Sequence, residues 1–409
     1  MGEARFASQR AAATRAMQIA ARDGVTGVGW RLLRAAYQRA ERGRAELAIP
    51  LADIADPSQY QQILPTRRPE RGTPLRIAWV STPPGLGSGG HTTMFRMVEA
   101  LEAAGHTCEI LLYDRHGGAT ARHAEIVRRG WPKVRAQVRD VKTGFGGFDA
   151  CIATAWQTAH VLARHCRQPT RILYLAQDYE PFFYPRGVEY SLAEDSYRFG
   201  FRCITIGHMV AQVLQRELGV PATVAEFGCD TDVYRLTNSG PRSGIVFYAK
   251  PSAPRRGYLL AVAALTEFQA RHPEQQIHVF GQTPSVLPFS AVLHDRLDPA
   301  ELNELYNRSI AGFAFSFTNI SLIAEEMLAA GAIPVINDSP DPRADLENPY
   351  ACWAHPTPSA IARALSDLVS APDIPARAVA AAGSVRSTLW QPAQATTVAV
   401  VEDEVYGPV

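Results

Sequence analysis

The chain has 409 residues, 46% of them hydrophobic and 20% charged, with a formal net charge of +1. This is an ordinary globular mixture, and at roughly 100–200 residues per domain it has room for two domains. The near-neutral balance argues against a protein built around nucleic acid, and no run of about 18 apolar residues offers a membrane span.

Residues 1–50 depart from that balance, with nine Arg against four acids. Residues 7–47 are rich in Ala and Arg. Val25, Val28, Trp30, Leu32, Leu33 and Ala36 can share one apolar face, which predicts one or two helices. Two readings stand for this extension. It is a packing or linker helix, or it is a basic amphipathic segment that makes peripheral contact with anionic lipid headgroups. The N-terminus has no apolar signal core, so a cytoplasmic location is expected. Residues 65–74, with Pro65, Arg67, Arg68, Pro69, Arg71, Gly72 and Pro74, read as a polar linker. The six cysteines are widely spaced and form no C-x-x-C. Cys108, Cys151 and Cys203 lie in apolar runs and read as buried thiols rather than as disulfide or zinc ligands.

From residue 76 short apolar runs alternate with helical patterns. Strands are predicted over 76–80, 107–113, 148–153, 171–176, 202–206 and 224–227, with helices over about 92–104, 156–165 and 209–218. The turn-rich stretch 237–244 reads as a domain boundary. The alternation then restarts, with strands over 245–248, 276–280, 291–294, 310–315 and 333–336. Helices are expected over 258–271, 299–307, 321–330 and 359–369. Asp298 precedes Pro299 and Glu301, an N-cap followed by Pro at the first helical position. The pattern predicts an α/β chain of two doubly wound, Rossmann-like domains in tandem.

Gly85, Gly87 and Gly90 spell G-x-G-x-x-G after the first strand. In the dinucleotide fingerprint the first Gly follows the strand directly. Here Thr82-Pro83-Pro84 intervenes, and the two prolines carry the loop away from the sheet. The better reading is a loop in which Gly87, Gly89 and Gly90 keep side chains clear, so that backbone N–H groups can approach a phosphate or a sugar hydroxyl.

Three features of the second domain converge on an anionic ligand. Lys250, Arg255 and Arg256 share a loop at a strand's C-terminal end, where ligands of open α/β sheets bind. The turn Asn319-Ile320-Ser321-Leu322 offers free N–H groups at a helix start. Glu326, about one turn into that helix, can accept charge-assisted hydrogen bonds from a ribose diol. Its neighbour Glu325 reads as a solvated helix charge. No metal-ligand spacing such as D-x-D before a short loop is evident, so neither a metal nor a cofactor is expected.

With these residues in view, positions 75–390 resemble retaining glycosyltransferases of the GT-B fold, family 4. Gly228-Cys229-Asp230 matches that family's domain-closing turn. Lys250 and Arg256 match its diphosphate-binding pair, with one extra residue between them. Glu326 matches the second Glu of its E-x7-E motif. The first Glu falls on Thr318, and the family's His-Asp after strand four appears as Gln177-Asp178. Residues 174–183, 190–201, Ala55-Asp56-Pro57-Ser58-Gln59 and Thr318-Asn319-Ile320-Ser321 further resemble the WsaF-type rhamnosyltransferases of bacterial surface rhamnan assembly.

The resemblance implies a helical extension and linker over 1–70 and an acceptor-side domain over 71–238. It implies a nucleotide-sugar-binding domain over 239–390, and a C-terminal helix over 391–409 that returns to the first domain. It implies dTDP-L-rhamnose as donor and a rhamnose-containing glycan, lipid-linked or free, as acceptor. Lys250, Arg255, Arg256, Thr318 and the 319–322 turn would then hold the donor together with Glu326. Asp178, His91 and Glu180 would face the cleft as candidate catalytic groups, with Gln177 and with Trp156 or Tyr179 on the acceptor side. Two rival readings remain, a nucleotide-sugar 2-epimerase of related fold and a non-catalytic glycan-binding protein.

Overall fold

A computed structural model describes residues 47–282, 286–294, 296–320, 322–385 and 389–408. The chain divides into two compact units, Met1–Ala52 and Asp53–Val409. The helices expected over 7–47 lie, apart from Leu47, outside the described residues. So does any membrane contact through residues 1–46. Among the described residues no helix is long and apolar enough to cross a membrane.

The second unit holds two parallel sheets, as the alternation predicted. The first has seven strands in the order β3-β2-β1-β4-β5-β6-β7. They are β1 Arg76–Ser81, β2 Thr107–Leu112, β3 Gln137–Asp140, β4 Ala150–Ala153, β5 Arg171–Ala176, β6 Arg202–Ile206 and β7 Ala222–Ala225. The second has six in the order β10-β9-β8-β11-β12-β13. These are β8 Ile245–Ala249, β9 Ile277–Gly281, β10 Val292–Leu293, β11 Ala311–Phe313, β12 Ile333–Asn337 and β13 Cys352–Ala354. Central strands such as β1 are buried over five consecutive residues, because helices cover both faces of a parallel sheet. That double burial is why they read as apolar runs.

The helices around the first sheet are α1 Gly89–Ala103, α2 Thr120–Gly130, α3 Trp156–His165, α4 Val188–Asp195 and α5 His208–Leu218. Around the second are α6 Tyr258–Arg271, α7 Pro299–Arg308, α8 Ile323–Ala329, α9 Pro340–Arg343, α10 Pro358–Val369 and α11 Ile374–Ser384. The expected cap of α7 is a reciprocal box. Asp298 Oδ1 accepts from Glu301 N at 2.9 Å, and Glu301 Oε2 accepts from Asp298 N at 2.8 Å. The final helix, α12 Gln391–Tyr406, packs on α1 and on β5, β6 and β7. Its Val400, Val401 and Val405, together with Trp390, join the core built by Trp79, Phe95 and Ile204. All six cysteines are free, and five of them are buried.

The two sheet domains are tied at several points. Asp345 of the second caps α5 of the first, its Oδ1 accepting from His208 N and, at 3.2 Å, from Met209 N. Leu322 packs against the first domain's core. Within the first domain, Gly228 lies against Trp390, where a Cβ would fall 2.8 Å from Trp390 Cγ and 2.9 Å from its Cα. Gly228→Ala should therefore overpack this contact and cost about 1–3 kcal/mol. Urea unfolding measures it, and an unchanged midpoint would mean that α12 can shift aside.

Candidate functional site

In an open parallel sheet ligands bind beyond the strand C-termini, at the point where strand order reverses. In the second sheet that point lies between β8 and β11. The loop after β8 carries Lys250, Arg255 and Arg256, and the turn after β11 carries Ser316 to Leu322. In the first sheet the order reverses between β1 and β4. The glycine loop follows β1 and Trp156 follows β4, with Asp178 and Glu180 one strand over, after β5.

The three cations are brought together. Burial lowers the pKa of the Lys250 ammonium, and the charges of Arg255 and Arg256 lower it further. Arg256 is pushed down to about 10, by burial first and then by Arg255. Its Nη1 donates to Ser316 Oγ at 2.8 Å and to Asn319 O at 3.2 Å. Asp178 is the carboxylate beside these cations, 3.8 Å from Arg255 Nε, and a diphosphate would add the negative charge that burial and mutual repulsion call for.

Asp178 joins the first domain to this turn. Its Oδ2 accepts from Thr318 Oγ1 at 3.0 Å, and its Oδ1 accepts from Tyr179 N at 2.9 Å and Asn319 N at 3.5 Å. Gln177 O accepts from Asn319 Nδ2 at 2.6 Å. Thr318, which stands where the resemblance leads one to expect an acid, thus receives a carboxylate from the opposite domain. Burial raises the pKa of Asp178, while Arg256 and Arg255 oppose the rise. Tyr197 links the next residues, its hydroxyl donating to Asp178 O at 3.0 Å and accepting from Glu180 N at 3.3 Å.

Glu180 accepts from Trp156 N at 2.5 Å, so its carboxyl caps α3. Burial pushes its pKa up to about 8, despite that bond. Glu326 is also raised to about 8, by burial, with Asp230 and Glu325 adding to the rise and Arg96 opposing it. Burial raises the pKa of the Tyr248 hydroxyl, Arg256 and Arg255 oppose the rise, and Glu326 adds to it. Arg96, which the sequence reading missed, pairs with Asp230 and stacks on Trp390 with its Cζ 4.5 Å from the ring centre.

Several expectations are corrected by the packing. Trp156 is buried and its indole N–H donates to Tyr184 Oη at 3.1 Å. Tyr179 is buried, donates to Glu194 at 3.1 Å and stacks on Tyr197. Neither ring has a face free for a sugar. His91 is no free base. Its Nε2 lies 3.1 Å from Thr82 O, which can only accept, so Nε2 carries the proton and Nδ1 accepts from Ser88 Oγ at 2.8 Å. Burial lowers its pKa and favours that neutral form. Ile320 points into the second core, leaving only its backbone for a ligand. Glu325 is not solvated, since burial and Asp345 push it up to about 7. Ser321 lies outside the described residues.

The glycine loop does meet the opposite domain. Gly87 has φ +78°, and a Cβ there would lie 3.0 Å from Arg296 Nη2 of the second domain. A Cβ on Gly90 would lie 3.6 Å from Gln177 Oε1. Gly89 has open space around it and, with Gly90, forms the first turn of α1 under the Ser88 cap. Asp114, the acid that a dinucleotide site would require, is consumed locally by His116 N and Gly118 N, each at 2.8 Å.

Residues 243–366 match the sequence profile described as WsaF, C-terminal domain, and residues 136–208 match WsaF, N-terminal domain. The O-antigen biosynthesis protein RfbC of Myxococcus xanthus is 30% identical over 319 residues, which is 74% of this chain and 25% of that protein. The chain thus spans about a quarter of the length of the curated relative it matches. Among solved structures, Anabaena Alr3699/HepE in complex with UDP superposes with a TM-score of 0.60 at 11% identity, over 78% of this chain and 98% of that one. WaaG, a glycosyltransferase involved in lipopolysaccharide biosynthesis, gives 0.58 at 12%, over 81% and 100%. A glycosyltransferase from Rickettsia africae gives 0.57 at 12%, over 82% and 100%. Likeness at such identities carries the fold, the GT-B arrangement of two Rossmann-like domains.

A carboxyl held near 8 in the folded chain keeps a proton that the unfolded chain releases, so its burial costs more stability as pH rises from the ordinary carboxylate range toward 8. Glu326→Gln should therefore raise Tm clearly at pH 8 and little at pH 5. Equal shifts at the two pH values in thermal melts would place Glu326 outside this buried acidic setting.

Proposed function

From a chain that is WsaF-like in both halves and folded as a GT-B glycosyltransferase, we propose that this protein transfers a sugar from a nucleotide donor during assembly of an O-antigen or related surface polysaccharide. The donor we propose is dTDP-L-rhamnose, the acceptor a surface glycan, and the chemistry retaining and metal-independent. The WsaF-like motifs support the sugar, and the name of the Myxococcus xanthus relative supports the polysaccharide setting.

One observation carries the reading. Lys250, Arg255 and Arg256 share one loop at the second sheet's switch point, with Arg256 fixed on Ser316 and Asn319 and with Tyr248 feeling both the two arginines and Glu326. The diphosphate would lie on Lys250, Arg255 and Arg256, and on the backbone of the 319–322 turn. Its leaving oxygen gains charge in the transition state, so these groups would stabilise the transition state more than the ground state. Glu326 would take the sugar hydroxyls of the nucleoside. Proton transfer from the acceptor to the departing phosphate would need no covalent nucleophile. Asp178, already fixed by Thr318 and Asn319, would orient the acceptor hydroxyl.

Calorimetric titration of the chain with dTDP, UDP and GDP tests the donor. We expect dTDP to bind tightest, and a clear preference for UDP or GDP would overturn the proposed base. Glu326→Ala should lose at least about tenfold in kcat/KM, the worth of one buried hydrogen bond. Kinetics equal to wild type would remove Glu326 from the site.

A further inference from the structure

Arg255 and Arg256 are consecutive residues of one short 3-10 turn, Pro254–Arg256, yet their guanidinium groups are held by different domains. Arg256 stays at home on Ser316 and Asn319. Arg255 crosses the seam. Its Cζ lies 4.0 Å from the centre of the Phe183 ring, and its Nε lies 3.8 Å from Asp178 Oδ2. That second distance is a charge contact, too long for a hydrogen bond. The hydrogen bonds that Asp178 does accept come from Tyr179, Thr318 and Asn319. Arg255 Nε is buried and has no acceptor among the described residues. A ring stacked under a guanidinium occupies its flat face and leaves the donors at its edge unused. Arg255 is therefore held loosely, with an unsatisfied donor, next to two cations that repel it.

We propose that Arg255 is parked on the first domain, between Phe183 and Asp178, and that a diphosphate draws it off to complete the anion site. The proposal rests on the nucleotide-sugar reading above. Phe183 then acts as a positioning residue through Arg255. Donor binding removes a cation from beside Asp178 and brings an anion near, and both changes make that carboxylate a better proton acceptor. Asp178 thus becomes a stronger base when the donor is in place.

Isothermal titration of the full chain with inorganic pyrophosphate and with dTDP tests this, using Phe183→Leu, Arg255→Gln and the double variant. Phe183→Leu removes the parking place, so pyrophosphate should bind about three- to tenfold tighter. Arg255→Gln should bind at least about tenfold more weakly. In the Arg255→Gln background, Phe183→Leu should change nothing, a coupling that general loosening of the fold does not produce. Asp178→Asn, of equal size, should tighten pyrophosphate binding more with Arg255 present than in the Arg255→Gln background, which gives a second reading if Phe183→Leu folds poorly. Weaker or unchanged binding in Phe183→Leu would overturn the parking. So would a Phe183→Leu gain that persists without Arg255, or an Asp178→Asn gain of equal size in both backgrounds. If the wild type binds neither pyrophosphate nor dTDP, the nucleotide-sugar reading itself falls and takes the inference with it.

Discussion

Every strand in both sheets runs the same way, so each sheet has a single edge at which its strands end and its loops begin. Chemistry built on such sheets has to stand on that edge. Here the second domain presents cations there, Lys250, Arg255 and Arg256, and the first presents carboxyls, Asp178 and Glu180. The opposed signs attract across the seam. Burial works against both, raising the pKa of Asp178 and Glu180 and lowering that of Lys250 and Arg256. The seam therefore stores unspent electrostatic affinity. The cations still lack a strong anion, and the nearest carboxylate hydrogen-bonds to Thr318 and Asn319.

Central strands were legible because they are buried on both faces and leave continuous apolar runs. Of the four edge strands, β7 and β10 were still read, and β3 and β13 were not. β3, Gln137–Asp140, is polar and only half-buried, and β13 is three residues long. Helix α2 was missed for a related reason, since Val127 is its one buried residue. The cap of α7 was read correctly because its three residues are adjacent and act on one another locally.

The site divides along the same line. Lys250, Arg255 and Arg256 could be grouped because one loop carries them all. The bond from Thr318 to Asp178 spans 140 positions, and no local pattern encodes it. Arg96 carries no local signal in the sequence, since its partners Trp390 and Asp230 reach it only through the fold. Aromatic residues near strand ends misled in the other direction. Trp156 and Tyr179 have the composition of a sugar platform, but their polar ends are hydrogen-bonded inside the protein and their faces are covered. A buried aromatic and a ligand-stacking one look alike in sequence.

The helix α12 has a bearing on how the protein is made. The core of the first domain takes in Trp390, Ala393, Val400, Val401 and Val405, which follow the whole second domain in the chain. The second domain's core draws on one continuous span from Cys229 to Ala381. As the chain leaves the ribosome, the later domain has all its parts before the earlier one does. The first domain must wait, with the face that α12 will cover still bare, until Gln391–Tyr406 has emerged. The order of completion is thus the reverse of the order of synthesis, and a nascent chain stalled before residue 390 would expose that uncovered face to chaperones.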